Sequence, residues 1–323
     1  MKKILVHLLL LVVLVAVISG SKSLAQTKNS NTLESYYQTI NRAELSIVRD
    51  DYKSASQNYA TAFKHYGGIR FAKDLMNAFY AALFAGDTSS SIYYLDSLAF
   101  YGFHKGRPIK YFQNNKILEN SLAKRYDSIQ SAGKASLDWV MIKACDSFLH
   151  VDQAIRKQYV DKSEMGINEF RRLDSLNFYG FLDYIDKHGF PAFNKIGFSS
   201  MSSASPIQTN VFYLLLWHQR STIFPDSVEH KIRDLIYQGQ LLPYDYATCR
   251  FSSYDYYGFI PTAALPVSAI ERINSNRSKI YMETVAEFKE KMGKAFKIDG
   301  ISATSQIPFV FHNMFTAPSY EPR

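Results

Sequence analysis

Four residues of the C-terminal half combine an acid, a base and an anion clamp at helical spacing. Asp152 falls four residues after Phe148 and three before Ile155, inside the apolar stripe of its segment, and Arg156 stands one turn further on. Asp174 and Asn177 lie between Phe170 and Phe181 at spacings of four, three and four. Val211, Leu214 and Leu215 run along one face to His218, with Gln219 next in the chain. Residues three or four apart share a helical face, so three segments point polar groups where burial is expected. A carboxylate taken out of water without a partner is costly, or protonates instead. These groups must therefore meet one another, meet water or line a cavity. The guanidinium fork of Arg156 matches the carboxylate of Asp152 or Asp174. Arg250, Asn274 and Arg277 are the further polar residues placed to join them.

Two kinds of chemistry fit this set. His218 has a side chain suited to general-base work near neutral pH, with Asp152 or Asp174 as the orienting acid, which would make a hydrolase. The same residues also fit a purely structural reading, a core-edge histidine and an ion-pair network that fixes helix register. Arg156, Asn177, Gln219, Arg250, Asn274 and Arg277 are the candidate binding residues. No metal site is expected, since the chain has no HExxH, no CxxC and no dense histidine group. His188, His218 and Asp174 are the weak exception that could supply three ligands. No cofactor motif is present. Ser199, Ser200, Ser202 and Ser203 form a loop-like run without a GxSxG elbow. The aromatic stretch YDYATCRFSSYDYYGF suits stacking on a sugar or peptide as well as ordinary packing.

Helices must position these groups, and the class expected is mainly α. The run from Leu137 to Tyr159 carries Leu137, Met141, Cys145, Phe148, Ile155 and Tyr159 at helical spacing. A second run from Ile167 stops at Gly189, with Pro191 beyond. Ser205, Pro206 and Gln208 read as a capping box before the histidine segment. Asp226 with Glu229, Ser268 with Glu271, and Thr284 with Glu287 mark further starts. Strand signals are confined to CRFSSYDYYGFI and QIPFVFH, at most a small β element.

The N-terminal part reads as helical hairpins. Tyr52, Ala55, Tyr59 and Ala62 alternate large and small, and Gly86, Thr88, Ser91, Leu95 and Leu98 repeat the frame thirty-six residues on. This spacing resembles the tetratricopeptide repeat, whose period is about 34 residues. In the C-terminal half, DQAIR, LDSLN, HGFP followed by Gly197, LLLWHQ, GQLLPYDYATCR, YYGF and INSNR occur in order from Asp152 to Arg277. That ordered set resembles a bacterial family known only as domain of unknown function 6624. The resemblance implies no reaction. The chain departs from the family in having Cys249 before the arginine, and His218 before the glutamine with no His-Ala-Asp run after it.

The start of the chain is expected to be a secretory signal over residues 1–25. Lys2 and Lys3 precede an apolar run from Ile4 to Ile18, and Ser23-Leu24-Ala25 offers a small-x-small cleavage site. The run is shorter than the roughly 20 residues a membrane span needs, so no stable membrane insertion is expected after cleavage. The formal charge of +8 falls by three, to +5, when Lys2, Lys3 and Lys22 leave with that leader. The remaining charges are interspersed, which argues against nucleic acid. Cys145 and Cys249 could pair in an oxidising compartment or remain free and buried.

The expected organisation is a signal peptide at 1–25, tetratricopeptide-like hairpins at 26–103, a connecting segment with one short helix at 104–136, and a helical domain at 137–323. The function expected is that of an exported protein, periplasmic or secreted. It would bind a protein or peptide through its helical repeats, or a small polar ligand in a buried pocket. The alternative is a cell-envelope hydrolase with His218 as base.

Overall fold

The structure, a computed structural model, describes residues 33–103, 116–161, 166–198, 211–219, 222–249, 256 and 267–291. Its described elements are 13 helices, with no strand among them, so the fold is mainly α as expected. The two strand-like stretches, apart from a few residues of the first, and the Ser205 capping box lie outside the described residues, as does the whole of the expected leader.

The first five helices are α1 (33–48), α2 (Tyr52–His65), α3 (Ala72–Phe84), α4 (Thr88–Phe100) and α5 (Lys116–Ser136); α2 to α5 stack as successive neighbours, and α1 bonds to α3 through Tyr36 with Asp74 and Glu44 with Lys73. Asp51 and Asp87 start α2 and α4, each accepting a backbone N–H three residues on, from Ser54 and Ser90, at 3.0 Å. Helix α3 is buried almost all round, from Ala72 to Ala82, because α2 and α4 cover opposite faces. Ala55 and Ala62 are fully buried beside Tyr59. The segment expected as a connector holds a helix of 21 residues rather than a short one. Leu122 and Tyr126 of α5 belong to the first hydrophobic core, and the Tyr126 hydroxyl donates to the Phe103 carbonyl at 2.6 Å.

A second core gathers around α6 (Trp139–Asp161), α7 (Ile167–His188) and α9 (Val211–His218). Asp138 caps α6 through the Met141 N–H at 2.9 Å. Gly189, at φ +84°, ends α7. The short α8 (Phe193–Ile196) turns the chain back toward α4. There the Phe198 N–H donates to the Tyr101 carbonyl at 2.8 Å, and the Tyr101 and Phe193 rings lie 4.5 Å apart. Helices α10 (Asp226–Tyr237) and α11 (Pro243–Cys249) close the core, with Ile232, Ile236 and Tyr246 buried in it. Cys145 and Cys249 are both buried and are not joined by a disulfide, and burial pushes the Cys145 thiol up to about 12. Helix α12 (Val267–Lys279) leads to α13 (285–291), which returns to α1. Thr284 and Glu287 form the expected capping box, with the Thr284 N–H to Glu287 at 2.9 Å and the Glu287 N–H to Thr284 at 3.3 Å. Among the described residues no helix is long and apolar enough to cross a membrane.

Candidate functional site

Three helices bring the predicted polar groups to one place. Asp152 sits past the middle of α6 with no exposed surface, Asp174 lies in the first half of α7, and His218 ends α9. His218 Nδ1 is 2.7 Å from Asp152 Oδ1. Arg156, one turn along α6, donates to Asp152 through Nε at 3.3 Å and Nη2 at 3.2 Å, and across to Asp174 through Nη2 at 2.6 Å. Gln219 donates its amide N–H to the other oxygen of Asp174 at 2.5 Å. The i, i+4 spacing thus puts Arg156 over its own helix's acid, while the neighbouring helix supplies the second carboxylate.

The electrostatics of the two acids differ. Burial alone would raise the Asp152 carboxyl, but hydrogen bonds from His218 and Arg156 outweigh it and hold it below the usual carboxylate range. For Asp174 burial dominates and lifts the carboxyl above that range, against the pull of Arg156. The cluster therefore holds one carboxyl below the ordinary carboxylate range and one above it.

It also reaches the surface. The side chains of Arg156 and His218 keep 26% and 13% exposure, while that of Asp152 keeps none. The Arg156 guanidinium lies over the Phe170 ring at 5.4 Å, and Tyr159 packs on Phe170 with ring centroids 4.4 Å apart. An aromatic wall thus stands beside the cation.

Ligand-capable atoms of Asp152, Asp174 and His218 come within 4.8 Å of one another, close enough to share a metal ion. The guanidinium of Arg156 already contacts both carboxylates, so a divalent ion would have to displace a fixed cation. His188 is not part of this group; its ring stacks on Tyr184 at 4.5 Å.

The other predicted binding residues do different jobs. Asn177 donates to the Phe148 carbonyl at 3.1 Å, tying α7 to α6. Asn274 accepts the Val285 N–H at 2.8 Å, at the start of α13. Arg277 is fully buried and donates to the carbonyls of Glu283 at 2.5 Å and Tyr256 at 3.0 Å. Arg250 lies outside the described residues. Three contributors escaped the sequence reading: Gln153, which donates to Asp152 at 2.7 Å, and Ser175 and Thr222, which donate to Gln219 at 3.3 and 3.0 Å. Gln153 adjoins Asp152 in sequence and Ser175 adjoins Asp174, so each is off the stripe that flagged its neighbour.

No family model, curated protein or solved structure matches the chain.

Proposed function

We propose that this is an exported helical binding protein that takes a small polar ligand at the mouth of the Asp152–Arg156–Asp174–His218 cluster. The observation that carries the reading is a fully buried carboxylate, Asp152, bridged to two groups that reach the surface, His218 and Arg156. A cluster serving register alone gains nothing from leaving its cation and imidazole open to water. The ligand would meet the remaining donors of Arg156 at the rim of the Tyr159–Phe170 aromatic pair, a setting suited to a hydroxyl- or carboxylate-bearing molecule. The spacing of Tyr52, Ala55, Tyr59 and Ala62 supports tetratricopeptide-like hairpins, and with them a peptide partner on the N-terminal half.

A second reading, a cell-envelope hydrolase, is favoured by the direction of the imidazole. With Nδ1 held by Asp152, Nε2 is the nitrogen left to take a proton from a water or hydroxyl.

The test is a panel of sugars, amino acids, dipeptides and esters against the wild type and the variants His218→Gln, Arg156→Lys and Asp174→Ala. Folding is followed by circular dichroism. Binding without turnover, weakened about 10-fold or more by the folded Arg156→Lys variant, supports the binding reading. Turnover that disappears in folded His218→Gln supports the hydrolase. If the wild type responds to no compound and the variants only unfold, the cluster is structural and both readings fail.

A further inference from the structure

A second group of buried charges lies where the end of the described chain returns to its beginning. Glu44 of α1 is 3% exposed and is held by two lysines, Lys73 of α3 and Lys291 of α13, the latter at 2.6 Å. Beside them, between α1 and the turn from Lys279 to Glu283, two adjoining chambers share Tyr37, Asn41, Tyr281, Met282 and Glu283 in their walls. Counted with their open mouths, they enclose about 500 and 720 Å³, part of it open solvent.

Two features point to an occupant. The Tyr37 side chain is more than nine-tenths buried and lines both chambers, yet its hydroxyl has no hydrogen-bond partner among the described residues. The same holds for the carbonyl oxygen of Asn41, whose amide nitrogen is committed to Glu287 at 3.2 Å. Buried polar atoms are nearly always satisfied, and both of these accept hydrogen bonds. Secondly, acids outnumber bases in the walls. The inner chamber is near balance, with Glu44, Asp245 and Glu283 against Lys73, Lys291 and the buried Arg277 that pairs with Glu283 at 3.4 Å, and the excess sits in the outer chamber, where Glu34 and Glu287 face Arg42.

We propose that this cleft is a ligand site separate from the His218 cluster, and that it binds a small aliphatic amine in its ammonium form. An ammonium group supplies only donors, which the Tyr37 hydroxyl and the Asn41 carbonyl can take, and its charge offsets the acid excess. An anion would face that excess and leave the Asn41 carbonyl without a donor, although the Tyr37 hydroxyl could donate to it.

Calorimetric titration of the full chain with spermidine and with putrescine tests the proposal, with inorganic phosphate as the probe of opposite charge. Saturable spermidine binding is expected, weakened about 5- to 10-fold by Tyr37→Phe and about 2- to 5-fold by Glu34→Gln, which removes a charge at the mouth. Tyr37→Phe deletes an unpartnered hydroxyl, so its melting temperature should equal or exceed that of the wild type. If Tyr37 served packing alone, affinity would not move. The proposal is overturned by absence of saturable amine binding, by binding equal in wild type and both variants, or by preference for phosphate.

Discussion

Asp152 concentrates the physics of the His218 site. Its carboxylate receives Arg156, His218 and Gln153 with no exposed surface of its own. Replacing it with asparagine leaves a guanidinium and an imidazole facing a neutral amide, and the cost expected is about 3 kcal/mol. The pH dependence has a definite sign. A carboxyl held below its ordinary range stabilises the fold above about pH 4, and that contribution is lost as the pH falls through the folded-state value. Asp174, held above its ordinary range, acts oppositely: it opposes folding once the pH exceeds that range and is relieved on acidification. Denaturant titrations at neutral and acid pH should therefore show Asp152→Asn losing most at neutrality, the gap to wild type closing as the pH drops. A gap independent of pH would show that the charge of Asp152 is not what stabilises. An acid inside an apolar stripe was a legible signal, because only a partner across the helix interface tolerates it. The same rule marks Glu44, between Ile40 and Ile47, and Asp74, three residues after Phe71. It misleads for Asn177 and Asn274, whose partners are backbone groups of other helices, and no side-chain pattern encodes those.

Helix boundaries were readable where a side chain makes the cap. The Thr284–Glu287 box is such a local hydrogen-bond device, and Gly189 ends α7 by its backbone freedom, whereas the equally local caps Asp51 and Asp87 were not read from the sequence. Close packing between helices was not readable. The cluster from Ser131 to Ser136 resembles a linker because small residues disfavour burial of large surface. In the structure its Gly133 is a contact point, where a Cβ would lie 1.9 Å from the Phe100 carbonyl oxygen of α4. For Gly133→Ala two effects compete. Helix propensity favours alanine by about 1 kcal/mol, whereas forcing a methyl group against backbone costs about 3 kcal/mol, since α4 and α5 must separate. A net loss of about 2 kcal/mol is expected in urea denaturation. A variant as stable as wild type would mean that the two helices do not approach so closely.

At the scale of the whole molecule, the two cores are joined by side chains distant in sequence, which one sequence read segment by segment cannot reveal. Tyr281 packs on Tyr37 with ring centroids 5.7 Å apart, and α13 places Glu290 on Arg49 at 2.8 Å and Lys291 on Glu44 at 2.6 Å. Stability should therefore be shared between the N-terminal hairpins and the C-terminal helices. Both tryptophans, Trp139 and Trp217, lie in the C-terminal half, so fluorescence reports on that half while circular dichroism reports on all helices. Glu44→Ala removes the common partner of Lys73, in the N-terminal hairpins, and of the buried Lys291 of α13, at an expected cost of about 3 kcal/mol. Lys73 keeps Asp74 at 3.2 Å and Lys291 keeps Glu283 at 3.8 Å, which is why a complete loss of folding is not expected. If the seam couples the two cores, fluorescence and circular dichroism will shift together to a lower denaturant midpoint and the transition will stay single. If they are independent, the fluorescence midpoint will stay at the wild-type value while circular dichroism splits into two steps, because the lost ion pairs would then weaken only the half that contains Glu44.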